Sequence, residues 1–158
     1  MLKSIVPLII STITIVCFQN CAPLFDVKNV SHRSNLVSDP TFASYVEDFE
    51  GRNNNTKVEV PIVFKDLDPK YAGICYRTFT EKGLVGDRIE IDIKNWKSMS
   101  EYQRINLIFH ELGHCVLNRD HVVSSSVLLC PTSFMDPTVM STSCIEQHYE
   151  DYMKEMFP

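Results

Sequence analysis

Residues 110–121, HELGHCVLNRDH, decide how this 158-residue chain is read. His110 and His114 are four positions apart, so on a helix both rings project from one face about a turn apart. The residues before, between and after them (Ile105, Leu107, Ile108, Leu112, Cys115, Val116, Leu117) are apolar around most of the helix surface, which predicts a largely buried helix. A buried ring nitrogen without a partner costs stability, so a histidine pair in an apolar helix is best explained by a shared cation. Imidazole pairs at this spacing suit Zn2+, with zinc–nitrogen distances of about 2.0–2.1 Å. Glu111, beside the first histidine, is placed to take a proton from a water on such an ion, the role of a general base. Gly113 is expected to keep the helix surface open beside the metal.

Two histidines do not complete a catalytic site, and the third ligand comes from Asp120 or His121. The stretch resembles the metzincin metallopeptidases, whose long motif is HExxHxxGxxH with a glycine turn before the last ligand. Counted strictly, the glycine position is Leu117 and the last ligand Asp120, as in the snapalysin-like branch. Leucine is poorly suited to a left-handed turn, whereas Asn118 tolerates one. With Asn118 at the turn, Asn118-Arg119-Asp120-His121 keeps the turn-to-ligand spacing and delivers His121. His121 is therefore the expected third ligand, with Asp120 as the alternative. In a thermolysin-like arrangement a glutamate of the last helix, Glu146 or Glu150, would serve instead.

Two further segments carry the resemblance. Ser133-Phe134-Met135-Asp136-Pro137 is similar to the metzincin Met-turn, which implies Met135 beneath the metal. Gly73-Ile74-Cys75-Tyr76-Arg77-Thr78-Phe79, the glycine-bearing loop and Gly86–Asp92 resemble the matrixin edge strand, its loop and the strand before the catalytic helix. By that likeness Gly73, Ile74, Cys75 and Tyr76 form a substrate-binding edge strand pairing with an extended polypeptide. The structural-zinc histidine and the cysteine-switch motif of matrixins are absent. The resemblance covers residues 57–157 and implies a zinc endopeptidase with one catalytic Zn2+ and a polypeptide substrate. The rival reading is an exported lipoprotein that binds zinc or a partner without catalysis.

The N-terminus has another character. Lys3 precedes an apolar run from Ile5 to Val16 that Gln19-Asn20 ends, the layout of a secretory signal over residues 1–20. Cys21 follows, and the junction resembles a bacterial lipoprotein processing site. Lipidation at Cys21 would attach the protein to a membrane; plain secretion is the alternative. Residues 21–40 are polar and proline-broken, as a tether would be, and 41–158 form the expected catalytic domain. Cys75, Cys115, Cys130 and Cys144 make an even set without a Cys-x-x-Cys pair, which predicts two disulfides in an oxidising compartment and leaves three pairings open. A net charge of −5 without a basic stripe argues against nucleic-acid binding.

Periodicity predicts a helix from Asp39 that Gly51 stops, strands over Lys57–Phe64, Ile74–Phe79 and Arg88–Ile93, and a loop over Thr80–Asp87. Ser100 and Gln103 form a capping box before the motif helix, and a last helix spans about Ser143–Phe157. The expected fold class is α+β (mixed α/β), a small metzincin-like domain with a twisted sheet, a buried active-site helix and a C-terminal helix.

Overall fold

The computed structural model describes residues 25–30, 35–124 and 129–158. In chain order these form β1 (Phe25–Val30), a 3-10 turn (Pro40–Phe42), α1 (Ala43–Arg52), β2 (Ile62–Lys65), β3 (Gly73–Thr80) and β4 (Gly83–Asp92). Three helices follow: α2 (Ile93–Ser98), α3 (Glu101–Cys115) and α4 (Thr142–Met156). The fold is α+β: one four-stranded sheet in the order β1-β3-β4-β2, with helices packed against it. Strands β3 and β4 are antiparallel, whereas β1 runs parallel to β3 and β2 parallel to β4.

Alternation on β4 sends Ile89 and Ile91 to the same face, where they are fully buried with Ile62 of β2 and with Leu107, Ile108 and Leu112 of α3. At one end Phe42, Phe64 and Trp96 form an aromatic cluster with ring centroids 4.7–5.8 Å apart. Helix α3 starts at the expected capping box: Ser100 Oγ accepts from Gln103 N–H, and the Gln103 side chain accepts from Ser100 N–H. Its residues 106–115 are all buried.

Several boundaries differ from the sequence expectation. Helix α1 runs through Gly51 and stops where Asn54 and Asn55 take positive φ, because one solvent-side glycine costs a helix less than a change of backbone hand does. Strand β2 begins only at Ile62. Pro61 cannot donate to a ladder, and the Glu50 carboxylate has already taken the N–H of Val58. The loop expected over Thr80–Asp87 is mostly strand: β3 and β4 meet in a tight turn at Glu81-Lys82, closed by Gly83 at φ +101° and by Thr80 Oγ1.

The largest difference concerns residues 25–30. They fall within the segment expected as a tether, yet they add a strand to the open side of β3, pairing Phe25 with Gly73 through Val30 with Thr78. Gly73–Tyr76 therefore do not lie at the sheet edge: β1 covers them. Phe25–Val30 could not be recognised as a strand from alternation alone, because the alternation lasts only from Phe25 to Lys28 before Asn29 breaks it. The proposed signal (residues 1–20) and Cys21 lie outside the described residues. Among the described residues no helix is long and apolar enough to cross a membrane.

Candidate metal centre

Helix α3 carries His110 and His114 on its buried face, and their Nε2 atoms stand 2.9 Å apart. Each ring is fixed from behind. His110 Nδ1–H donates to the Phe134 carbonyl at 2.7 Å, and His114 Nδ1–H donates to the Arg119 carbonyl at 2.7 Å. A carbonyl only accepts, so both Nδ1 positions hold the proton and the two Nε2 lone pairs are turned toward each other. Two lone pairs at that separation repel unless a cation lies between them.

His121 closes the group. Its ring centroid lies 5.1 Å from that of His110 and 4.7 Å from that of His114, and its Nε2 is buried without a hydrogen-bond partner among the described residues. One nitrogen from each of the three rings falls within 4.8 Å of the others. The chain reaches this position through the turn at Asn118, whose φ of +53° is the left-handed conformation expected there. Helix α3 ends at Cys115, and Arg119 N–H reaches back to the Gly113 carbonyl at 3.0 Å. Arg77 of β3 braces the turn by donating to Asn118 Oδ1 at 2.7 Å. Asp120 is exposed and outside the nitrogen cluster, as are Glu146 and Glu150 on α4.

All three imidazoles are held neutral, the form that donates a lone pair. Burial depresses His110 well below the ordinary histidine range, helped by the neighbouring His114. Burial also pulls His114 down to about 4, against the opposing Arg119 carbonyl. His121 is lowered by burial too, while Asp26, Asp136 and Asp120 pull the other way. Three converging neutral imidazoles, two of them with backed tautomers, fit a divalent metal ion.

Glu111 lies on the same turn, fully buried, and neither carboxylate oxygen has a hydrogen-bond partner among the described residues. Burial pushes its pKa well above the carboxylate range and the charge of Asp26 pushes it further; the Cys75 N–H opposes the shift without completing a hydrogen bond. Gly73 is what lets β3 pass so near: a Cβ there would stand 2.7 Å from Glu111 Oε1.

The floor is the turn at Ser133–Pro137. Met135 is fully buried, and a Cβ on Gly113 would meet its sulfur at 2.5 Å. Gly113 thus makes room for Met135 beneath the helix, rather than keeping the helix surface open as the sequence suggested. The turn also holds the His121 loop, since Val122 N–H donates to the Met135 carbonyl at 2.9 Å and Ser124 N–H to the Asp136 carboxylate at 3.1 Å.

Sequence reasoning missed the group that ties these parts together. Glu155, near the end of α4, accepts from the Arg119 guanidinium through one carboxylate oxygen and from Ser133 Oγ (2.8 Å) through the other. Arg119 also donates to the Glu155 carbonyl. Ser133 Oγ in turn accepts from Met135 N–H at 3.0 Å. One carboxylate thereby links the segment that backs His114 to the turn that backs His110. The two disulfides join Cys75 to Cys115 and Cys130 to Cys144, so β3 is stapled to the end of α3 and the loop after His121 to α4. Two such bonds fit an oxidising compartment.

A family model described as "Putative phage metallopeptidase" matches residues 85–130, from β4 through the motif helix and past His121. Over that span the chain resembles metallopeptidases. No curated protein and no solved structure matches it.

Proposed function

We propose that this protein is an exported zinc endopeptidase of metzincin type, with His110, His114 and His121 as ligands and Glu111 as general base. The observation that carries the reading is the convergence of three imidazole rings, two of them backed by carbonyls, beside a buried carboxylate on the helix that presents His110 and His114. The family match over residues 85–130 supports a peptidase. Zinc suits an all-nitrogen set, and when bound it supplies a Lewis acid that polarises a carbonyl and acidifies water.

The chain's own residues do the rest. The Phe134 and Arg119 carbonyls keep the proton on Nδ1 of His110 and His114 and leave Nε2 for the metal. Glu111 sits in an interior that raises its proton affinity, as a base working near neutral pH requires. It would accept a proton from the attacking water on a carboxylate oxygen and hand it to the departing amine. Met135 packs under Gly113 and fixes the depth at which the histidines stand. An export signal at residues 1–20, followed by lipidation at Cys21 or by plain secretion, completes the proposal.

Zinc content of the purified protein tests the ligand set. Wild type should hold about one zinc per chain, lost in His121→Ala and kept in Asp120→Ala. Glu111→Ala should keep the zinc and lose cleavage of a peptide library. Zinc retained by His121→Ala and lost by Asp120→Ala would move the third ligand to Asp120. Wild type that binds zinc but cleaves nothing in any form would leave the non-catalytic metal-binding lipoprotein as the better account.

A further inference from the structure

The side of β3 where a polypeptide substrate would pair is already taken by the chain itself. Six residues of β1 align with Gly73–Thr78, and the first pairs, Phe25 with Gly73 and Asp26 with Ile74, fall where β3 passes over the base. Gly73 is the residue whose missing side chain admits Glu111 Oε1. Glu111 and His110 have no exposed surface and His114 almost none. A base that must meet a substrate is here closed off from it.

Val27 is partly buried against the core, and the Lys28 ammonium lies over the rings of Tyr71 and Tyr76, 5.0 and 5.9 Å from their centroids. The backbone pairing of β1 with β3 is parallel, the arrangement that is the weaker per residue. The strand brings an acidic residue to this end of β3: Asp26 pairs with Ile74, next to the Gly73 that admits Glu111.

We propose that β1 is an autoinhibitory strand, occupying on β3 the place an extended substrate needs, so that cleavage requires β1 to leave the sheet. This rests on the endopeptidase reading above and adds its regulation. A polypeptide that displaces β1 replaces the same backbone bonds by strand addition, so opening and substrate binding are one exchange. The conditions or cuts that remove residues 25–30 from the sheet would switch the enzyme on.

The test uses the full chain loaded with zinc and the double variant Val27→Pro/Lys28→Pro. Consecutive prolines remove donors of both parities, so pairing is lost whichever N–H faces β3. Two readouts are taken: affinity for a peptidyl hydroxamate, which reports access to the metal without turnover, and cleavage of a peptide library. The variant should keep one zinc, bind the hydroxamate at least tenfold more tightly and cleave at least tenfold faster. A synthetic peptide with the sequence of residues 24–31 should reverse both gains. If the prolines prevent folding, Val27→Asp, which places a charge on the partly buried side of β1, is read by the same criteria. Equal hydroxamate affinity in zinc-loaded wild type and variant would overturn the autoinhibitory strand and leave the peptidase reading standing. Tighter hydroxamate binding without cleavage by the variant would keep the gate and sink the endopeptidase. A chain that takes up no zinc would overturn both.

Discussion

Glu111 and the three histidines pull the pH dependence of the metal-free protein in opposite directions. Glu111 has a raised pKa in the folded state, so its contribution is fully present below the unfolded value of 4.5 and is lost as pH rises through the folded pKa. The histidines are depressed, so theirs is present above 6.5 and is lost as pH falls, down to about 4 for His114. Chemical denaturation of the metal-free protein should therefore show stability falling from pH 6.5 toward 4. Glu111→Gln removes the charge but keeps the shape. It should stabilise the metal-free protein at pH 7.5 by roughly 1–2 kcal/mol, the scale of one unsatisfied buried polar group, and should give no gain near pH 4. A variant less stable than wild type at both pH values would show that Glu111 has a partner in solution. Gly113 is tightly packed as well. Gly113→Ala forces Met135 aside and should cost about 1–3 kcal/mol as overpacking, read as a lower melting temperature together with weaker zinc binding.

Among the elements, α4 does more than cover the core. Its Glu155 joins the His114-backing segment to the His110-backing turn, so Glu155→Ala should loosen both carbonyls that fix the imidazoles. The expected loss in zinc affinity is about 10–100-fold, the usual size when groups behind metal ligands are removed. Competition with a chelator measures it, and an unchanged affinity would make the link one of packing alone. This role was illegible in the sequence because it depends on where α4 docks. Helix α3 was legible throughout: its cap, its buried face and its histidine spacing are all local, and the turn at Asn118 followed from the one residue there that accepts a left-handed backbone. The strand at Phe25–Val30 was not, since its pattern becomes meaningful only beside β3. The Glu81-Lys82 turn was hidden for a related reason. Glycines at 83 and 86 look like loop residues until long-range pairing recruits them into β4.

At the scale of the whole molecule, the Cys75–Cys115 bond joins two parts of the site covalently. It ties β3, which carries β1 on one side, to the end of the helix that presents the histidines. Closing a loop of 40 residues restricts the unfolded chain by about 4 kcal/mol in the chain-entropy estimate. The Cys130–Cys144 loop, with a separation of 14, contributes about 3 kcal/mol on the same basis. Stability alone would thus rank the two bonds nearly equal, and location distinguishes them. Cys75→Ser/Cys115→Ser frees β3 from the turn where Arg77 braces Asn118, so it should weaken zinc binding as well as lower the melting temperature. Cys130→Ser/Cys144→Ser releases a segment anchored separately by the Tyr152 hydroxyl, which donates to the Pro131 carbonyl, and by Asp136, so it should lower the melting temperature with a smaller change in zinc affinity. Thermal unfolding with and without saturating zinc separates the two effects, because a bound ligand adds stability in proportion to the logarithm of its affinity. A zinc-dependent gain in melting temperature that shrinks in the first variant and persists in the second is the expected pattern. Equal loss of that gain in both would mean that the staple between β3 and α3 supports the fold as a whole and has no particular hold on the His121 turn.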